Sequence, residues 1–409
     1  MRVLWVCNLA LPSIARRLGK PVPVSGGWMQ GTYNGLKKID NIELALCYPS
    51  QTYSTSFVDQ NKCYGFISTT ECFKQILMDN QPDIVHIFGT EFKHSYAMLK
   101  ACEEIGVLDK AVISIQGLVS AIAKHYWAFL PQKCLHRYTF RDLLRHDNIY
   151  WQKRKFEKRG VYEIKALQLA RHVIGRTDWD RACVNRLNPD VQYHFCNETL
   201  RPAFYENAWS LEKCERHSIF VSQCSYPIKG FHLMLEAMAD IVKQYPDAHL
   251  YTTGENPLSL TCVEKIRQTY YNKYLSALIK KYHLEKHVTF LGALDEHQIC
   301  ERYLKSHVFV SASSIENSPN SVGEAMILGM PVVSSDVGGV KNLLKHGKEG
   351  FVYPADEPYM LAYYVMRIFE NDELALSISK NARAHAQNTH DRVENLNSLF
   401  SIYQTLLGD

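Results

Sequence analysis

Short, continuous apolar runs alternate with long helical patterns along this chain, and this alternation constrains the fold more than any other feature. Each run is brief, rich in β-branched residues and bounded by Gly, Asn or polar residues, as buried strands are. In the first half the runs are Val3–Cys7, Asp83–Gly89, Ala111–Ile115, His172–Gly175 and Val191–Phe195. Strands that are apolar on both faces and separated by helices indicate a parallel sheet covered by helices on both sides.

The second half repeats this pattern. Its predicted strands are Ser218–Ser222, His249–Gly254, Val288–Gly292, Val308–Ser311 and Pro331–Ser335. The helical patterns of the whole chain are Glu91–Ile105, Trp151–Ala170, Phe231–Gln244, Val263–Tyr282, Ser321–Leu328 and Leu374–Leu407. The sequence therefore predicts an α/β protein with two Rossmann-like, doubly wound parallel-sheet domains that face a central cleft.

The length of 409 residues also favours two domains, because single cores stop growing at smaller sizes. Between the halves, residues 197–215 have no clear period and include a proline. We therefore expect an N-terminal domain at 1–203, a linker at about 204–215 and a C-terminal domain at 216–387. A last helix at about 388–409 is expected to pack back on the first domain.

Composition narrows the class of protein. Hydrophobic residues make up 46% and charged residues 22% of the chain, as in soluble globular proteins. The net charge of +4 is too small to indicate nucleic-acid binding by itself. The 12 cysteines include no C-x-x-C pair, the start MRVLWVCNL lacks the layout of a signal peptide, and no apolar run is long enough to span a membrane. These features predict a cytoplasmic protein with reduced thiols.

Open α/β sheets bind ligands at the carboxyl ends of their strands, so the loops after strands should carry the chemistry. One such loop contains Gly26 and Gly27 in SGGW, which would let the backbone approach a phosphate. Another, VSQCSYPIKGF, places Lys229 at a helix N-terminus, where an anion is favoured. The alternatives are that the two glycines form a simple turn and that Lys229 is a solvated loop lysine. Neither a G-x-G-x-x-G nor a P-loop sequence is present.

The stretch SIENSPNSVGEAM places two carboxylates, Glu316 and Glu324, eight residues apart. Residues 318–321 are expected to form the loop and the helix N-cap, with Glu316 in the loop and Glu324 about one turn into the helix. Carboxylates accept hydrogen bonds well from sugar hydroxyls, so the pair could bind two parts of one ligand. The alternative is that Glu324 only caps the helix and that Glu316 is a solvated side chain without a ligand.

The E-x7-E pair, the trailing EAMILGMPVVSSDVGG and the upstream KGF resemble the retaining family 4 glycosyltransferases of the GT-B fold. This resemblance covers essentially the whole second domain. In the first domain, GGW, DIVHIFG and IGRTDWDRA agree with it. The family implies a nucleotide diphosphate sugar donor. Because Lys229 and helix amides would meet the phosphates, we expect no cofactor and no required metal.

The resemblance also implies roles for single residues. Glu324 matches the residue that binds the nucleotide ribose, and Glu316 matches the residue that holds the donor sugar. Lys229 matches the lysine that neutralises the leaving diphosphate. Gly27 matches the glycine that packs against that diphosphate. The remaining matches are the backbone at Asn320 and Ser321 near the phosphates or sugar, and Gly254 and Leu291 near the nucleobase.

Two positions depart from the family pattern. Gln223 stands where an arginine is usual, six residues before the lysine, which removes a fixed charge from the diphosphate site. Gln116 stands where family members often carry a histidine, although it can still bind a sugar hydroxyl and remains a catalytic candidate beside Glu316 and Lys229. Arg176 is a candidate substitute for the missing arginine.

The acceptor is expected on the first domain. Glu91 and His94 follow a strand end and are candidate acceptor-binding residues, with an exposed helix N-terminus as the alternative. Residues 124–159 hold ten Lys and Arg against three Asp and Glu, interleaved with aromatic residues. Such a segment suits an anionic membrane surface or a lipid-pyrophosphate acceptor, whereas a merely solvated face is the alternative. Nucleic acid is not the expected partner.

Together these features predict a retaining, metal-independent hexosyltransferase that moves a hexose or N-acetylhexosamine from a nucleotide diphosphate sugar, with UDP favoured. The expected acceptor is a glycan or lipid-linked oligosaccharide in surface polysaccharide (O-antigen or capsule) synthesis, at the inner face of the plasma membrane. The alternatives are a nucleotide-sugar epimerase or phosphorylase of the same architecture, and a non-catalytic nucleotide-sugar-binding protein.

Overall fold

A computed structural model describes residues 1–22, 27–58, 61–258 and 266–408. The chain divides into two compact units. The first unit comprises Met1–Ala121, Glu157–Arg201 and His390–Asp409, and the second comprises Ile122–Phe156 and Pro202–Thr389. The sequence analysis assigned all of 1–203 to the first domain, and this is wrong for 122–156. That segment packs on the second unit, where His232 Nε2 lies 2.7 Å from the Ala128 carbonyl and the Tyr270 amide donates to Asp142 over 2.8 Å.

The first unit contains an eight-stranded sheet. Its strands are β1 Arg2–Val6, β2 Glu43–Pro49, β3 Ser54–Val58, β4 Asn61–Phe66, β5 Ile84–Phe88, β6 Ala111–Ser114, β7 His172–Gly175 and β8 Gln192–Phe195. They lie in the order β3-β4-β2-β1-β5-β6-β7-β8, and all neighbours are parallel except β3 and β4. The parallel arrangement confirms the prediction, whereas β2 to β4 and the antiparallel edge were not foreseen.

Helices cover the first sheet. They are Pro12–Arg17, Gly27–Leu36, Thr70–Asn80, Lys93–Glu104, Asp178–Leu187 and Arg392–Leu407, with a 3-10 turn at Leu108–Lys110. Two further helices, Val119–His125 and Ile149–Leu169, each contribute residues to both units.

The second unit contains a six-stranded sheet. Its strands are β9 Glu215–Val221, β10 His249–Thr252, β11 Val288–Phe290, β12 Ser306–Ser311, β13 Val332–Ser335 and β14 Phe351–Tyr353. They lie in the order β11-β10-β9-β12-β13-β14, and every neighbouring pair is parallel. β12 and β13 are buried along their whole length, which explains their uninterrupted apolar and small-residue sequences.

The helices of the second unit are Gln132–Leu135, Phe140–Arg145, Phe231–Gln244, Tyr270–Lys281, Glu296–Lys305, Asn320–Leu328, Val340–Leu343, Pro358–Glu370 and Asp372–Thr389, with 3-10 turns at Pro202–Phe204 and Pro227–Lys229. No helix within the described ranges has the length and apolar character needed to cross a membrane.

The C-terminal helical stretch is not continuous, contrary to the expectation for Leu374–Leu407. It breaks after Thr389, and Asp391 caps the final helix by accepting hydrogen bonds from the Val393 and Glu394 amides. The break lets the final helix join the core of the first unit. There the Tyr403 hydroxyl accepts from Trp5 Nε1 over 3.0 Å and lies 2.7 Å from His86 Nδ1. Burial lowers the pKa of His86 to about 3, so its imidazole stays neutral.

Candidate functional site

Two loops meet at the carboxyl edge of the second sheet, one after β9 and one after β12. Gly230, in the β9 loop, has φ +66°, and a Cβ atom there would lie 1.8 Å from the Ala312 carbonyl oxygen. The Ser314 amide also donates to the Ile228 carbonyl over 2.8 Å. The glycine after Lys229 is therefore required by the close approach of the two main chains, and this approach fixes where the lysine stands.

Lys229 and Glu316 form the centre of this contact. Lys229 Nζ lies 2.5 Å from Glu316 Oε1, and the Ser313 hydroxyl donates to the same oxygen over 2.6 Å. The two side chains are 32% and 14% exposed, so both remain partly accessible. The structure thus joins two residues that the sequence analysis had placed only on the same rim.

A third loop, which contains Gly338 and Gly339, contacts the backbone of Glu316. The Gly339 amide donates to the Glu316 carbonyl over 3.2 Å. Gly338 has φ +51°, and a Cβ atom there would lie 1.8 Å from that carbonyl oxygen. The glycine pair that ends the PVV-x4-GG pattern therefore supports the backbone of the first carboxylate.

Glu324 lies on the helix Asn320–Leu328 and is 5% exposed. This helix starts one residue earlier than the sequence predicted. Pro319 occupies the N-cap position with no side-chain capping bond, and its carbonyl accepts from the Val322 and Gly323 amides. Asn320 and Ser321 are the first two residues of this helix. Amides of a first helical turn have no acceptor within the helix, which suits an anionic or hydroxylated ligand.

An open pocket lies beside the loop after β9. Its lining residues include Gln223, Ser225, Gly254 and Gly292. Gly254 has φ +117° and donates its amide to the Gly292 carbonyl over 3.0 Å, and the Leu291 amide donates to Thr252 over 2.8 Å. The structure therefore gathers Gly254 and Leu291, the predicted nucleobase-side positions, with Gln223, predicted at the diphosphate site, at the carboxyl ends of β9, β10 and β11.

The predicted residues of the first unit are less accessible. His94 is 5% exposed, stacks on Phe92 with ring centres 5.2 Å apart, and contacts Phe66. Burial lowers its pKa to about 4. Aromatic packing encloses the imidazole, and the assignment of His94 to the acceptor stays a prediction. Glu91 is partly exposed, but burial of its carboxyl, with a smaller contribution from the Glu163 carboxylate, raises its pKa to about 7.

Gln116, Arg176 and Glu198 form a cluster at the carboxyl ends of β6, β7 and β8. Gln116 Nε2 donates to Glu198 Oε1 over 2.7 Å, and Arg176 pairs with Glu198 Oε2 at 3.0 Å. The Arg176 side chain is 5% exposed and its charge is matched by Glu198 in the first unit, so the structure does not support it as a substitute for an arginine at Gln223. Sequence reasoning missed Glu198, although its position in the loop after β8, three residues beyond Phe195, was a usable signal.

The glycine-rich loop of the first unit is described only in part. Ser25 and Gly26 lie outside the described residues, whereas Gly27 begins the helix Gly27–Leu36. Its predicted place near a diphosphate therefore stays a prediction.

The basic and aromatic segment exposes apolar as well as charged side chains. On and beside the helix Phe140–Arg145, the exposed fractions are 61% for Tyr138, 63% for Phe140, 54% for Leu143 and 65% for Leu144. The same segment, residues 124–159, also exposes the cations Lys133, Arg137, Arg145, Arg154 and Lys155. A short helix that presents large apolar residues to water among cations is unusual for a solvated face.

The two Rossmann-like, parallel-sheet units match the GT-B fold of solved glycosyltransferase structures. The chain aligns over 100% of its length with sucrose-phosphate synthase from Thermosynechococcus elongatus, at 14% identity and a TM-score of 0.71 over 99% of that chain. It aligns over 99% of its length with HepE from Anabaena in complex with UDP-glucose, at 17% identity and a TM-score of 0.67 over 100% of that chain.

The sequence of the second unit is similar to known glycosyltransferases. Residues 205–385 match the family described as Glycosyl transferases group 1. YtcC of Bacillus subtilis, named as a glycosyltransferase, is 30% identical over 183 residues, which are 44% of this chain and 43% of that protein. The chain thus spans less than half the length of this curated relative.

Proposed function

We propose that this chain is a retaining glycosyltransferase that moves a hexose or N-acetylhexosamine from a nucleotide diphosphate sugar, with UDP as the favoured nucleotide. The observation that carries the proposal is the Lys229–Glu316 pair, which loop-to-loop packing holds at the carboxyl edge of the second sheet within the family-matched region. The UDP-glucose bound by HepE, which shares the fold, supports the choice of donor.

In the proposed reaction, the bond between the anomeric carbon and the diphosphate oxygen breaks first. Lys229 and the first-turn amides at Asn320 and Ser321 stabilise the charge that develops on the leaving diphosphate. The acceptor hydroxyl then attacks the same face of the anomeric carbon, and its proton passes to the departing phosphate oxygen. Because Lys229 supplies the counter-charge, we propose that no metal or cofactor is required.

The remaining donor contacts follow the same loops. Glu316 accepts hydrogen bonds from the sugar hydroxyls, and Glu324 from the ribose hydroxyls. Gly254 lines the pocket assigned to the nucleobase, with Leu291 beside it, and Gln223, which lines the same pocket, is assigned to the diphosphate side. Gly27 is assigned to the diphosphate.

The acceptor is proposed to be a glycan or lipid-linked oligosaccharide used in surface polysaccharide synthesis at the cytoplasmic face of a membrane. The exposed apolar and basic residues around the helix Phe140–Arg145 support this setting. Cations attract anionic head groups, while apolar side chains enter the boundary of the acyl chains. The predicted acceptor-binding residues Glu91 and His94 stay part of this proposal, although aromatic packing encloses the imidazole of His94.

The test is an assay of UDP release from UDP-sugars with lipid-pyrophosphate-linked acceptors, followed by NMR of the new linkage. Release of UDP with a retained anomeric configuration and without added divalent metal supports the proposal. An inverted linkage or a strict need for metal overturns the mechanism. Donor binding without release would favour the non-catalytic nucleotide-sugar-binding protein, an alternative kept open by the neutral Gln223.

A further inference from the structure

One edge of the first sheet is formed by a strand without the usual protection of an edge. β3 has β4 as its only neighbouring strand within the described ranges, so its other side is open. Soluble proteins protect such edges with charged residues, prolines or bulges, because unpaired main-chain groups bind other strands. The sequence of β3, STSFV, contains no charge and no proline, and its register with β4 is unbroken. β3 therefore lacks all three devices.

The side chains on one face of β3 are suited to pairing with a further strand. Tyr53, Thr55 and Phe57 alternate along the chain and so lie on the same face, where the Thr55 hydroxyl donates to the Tyr53 hydroxyl over 3.4 Å. Phe57 is 71% exposed, the largest fraction of any large hydrophobic residue in the described part of the chain. Aromatic and β-branched side chains stabilise a sheet mainly through cross-strand contacts, and β4 supplies these on one side only.

The neighbouring helix adds a second exposed apolar side chain. Lys62, which lies opposite Phe57 on β4, forms an ion pair with Asp79 at 2.6 Å, and Asp79 belongs to the helix Thr70–Asn80. Met78, the residue before Asp79, is 64% exposed. Phe57 and Met78 therefore lie beside the two members of one ion pair at the sheet edge. Exposed apolar side chains that accompany an open edge are typical of an interaction surface.

We infer that β3 pairs with β3 of a second copy of this chain across a two-fold axis, which joins the two first-unit sheets into one. A two-fold axis perpendicular to the sheet brings identical strands together in antiparallel orientation. With Thr55 on the axis, it faces Thr55 of the second copy, and Tyr53 of each copy faces Phe57 of the other. Two aromatic pairs then flank a threonine pair, and both kinds of cross-strand pair are favourable.

The lack of charge in β3 favours a second copy over an unrelated strand. In a two-fold contact, a residue on the axis meets its own counterpart, so a charged residue there would face a like charge. STSFV avoids this repulsion. The inference goes beyond the proposed function and does not depend on it, because β3 contains none of the residues assigned to the donor or the acceptor.

The test is sedimentation velocity of the full chain over a range of concentrations, in which we expect the parent to form a dimer. Thr55→Lys and Thr55→Glu should each raise the dissociation constant of the dimer at least about tenfold, because like charges then face each other on the axis. An equimolar mixture of the two variants should regain the dimer, because opposite charges then meet. Thr55 is exposed, so the melting temperature of both variants should stay close to that of the parent.

Hydrogen exchange locates the contact within the chain. The amides of residues 54–58 should be protected in the concentrated parent and should exchange faster after dilution or in Thr55→Lys. Phe195→Lys is the matched control, because Phe195 is 61% exposed on β8, the opposite edge strand of the same sheet. This variant should form the dimer as the parent does.

A parent that stays monomeric at every concentration would overturn the inference, and so would a dimer that survives in Thr55→Lys or is lost in Phe195→Lys. Failure of the mixed Thr55 variants to associate would also overturn it, because β3 would then bind a different surface. UDP binding judges the proposed function separately. Both Thr55 variants should bind UDP as the parent does, whatever their state of association.

Discussion

Lys229 Nζ and Glu316 Oε1 lie 2.5 Å apart although 87 residues separate them in the sequence. If Lys229 neutralises a diphosphate and Glu316 binds the sugar, the two residues affect UDP in opposite directions. Lys229→Ala should weaken UDP binding by about tenfold or more, because a charge-assisted contact is lost. Glu316→Gln should leave UDP affinity unchanged or raise it, because it removes a negative charge beside the phosphates.

Calorimetric titration with UDP and UDP-glucose checks this prediction. Lys243→Ala is the matched control, since Lys243 is a 71% exposed lysine of the same unit that pairs with Asp240. Equal losses of UDP affinity in Lys229→Ala and Glu316→Gln would contradict the division of roles.

The close main-chain approaches at Gly230 and Gly338 predict a large cost for any side chain. Gly230→Ala and Gly338→Ala should each lower the free energy of unfolding by about 2–4 kcal/mol, because both a positive φ and a steric clash must be accommodated. Gly347→Ala is the control, because its φ is +75° but nothing lies within 4 Å of the added atom. It should cost about 1 kcal/mol. Urea unfolding that gives equal costs for all three would contradict the clash.

The raised pKa of Glu91 predicts a dependence of stability on pH. The folded state binds this proton up to about pH 7, while an ordinary glutamate releases it near 4.5. This contribution to the free energy of unfolding is therefore full below pH 4.5 and is lost as the pH rises through 7, by on the order of 3 kcal/mol. Glu91→Gln should flatten this slope relative to the parent and to Glu43→Gln, an exposed control in the first unit. An unchanged slope in urea unfolding between pH 4.5 and 8 would refute it.

The exposed apolar and basic surface predicts binding to anionic membranes. The parent should sediment with phosphatidylglycerol vesicles at low salt and much less with phosphatidylcholine vesicles. Leu143→Asp with Leu144→Asp should reduce the bound fraction by about fivefold or more, since both leucines are over half exposed. Leu376→Asp, at a 51% exposed position elsewhere in the second unit, is the control. Equal sedimentation of all variants would remove the membrane proposal.

The strand pattern predicted the fold well where strands are buried on both faces. The sequence located β5, β6, β7 and the strands from β9 to β13 to within a few residues. A short, uninterrupted apolar run between turn residues is typical of a fully buried strand. β3 was missed because its burial alternates with exposure at the sheet edge. The cap at Asp391 was hidden inside an otherwise continuous helical pattern.

For the site, the sequence could identify residue types but not their pairing. Lys229, Glu316 and Glu324 were selected because each stands in a loop or first turn after a strand. The contact of Gly230 with Ala312 and that of Gly338 with Glu316 depend on the register of separate loops, which no local pattern encodes. For the same reason Glu198 was missed, since its partner Gln116 lies 82 residues away.

The central claim is that the second unit binds a nucleotide diphosphate sugar through Lys229 and Glu324. The most direct measurement is the melting temperature with UDP-glucose, UDP-galactose, UDP-N-acetylglucosamine and GDP-mannose, for the parent, Lys229→Ala and Glu324→Gln. A ligand at about 100 times its Kd adds about 2.7 kcal/mol of stability. At least one nucleotide sugar should therefore raise the melting temperature of the parent by several degrees, and by much less in both variants. The account would be contradicted if no nucleotide sugar shifts the parent, or if both variants shift as much as the parent does.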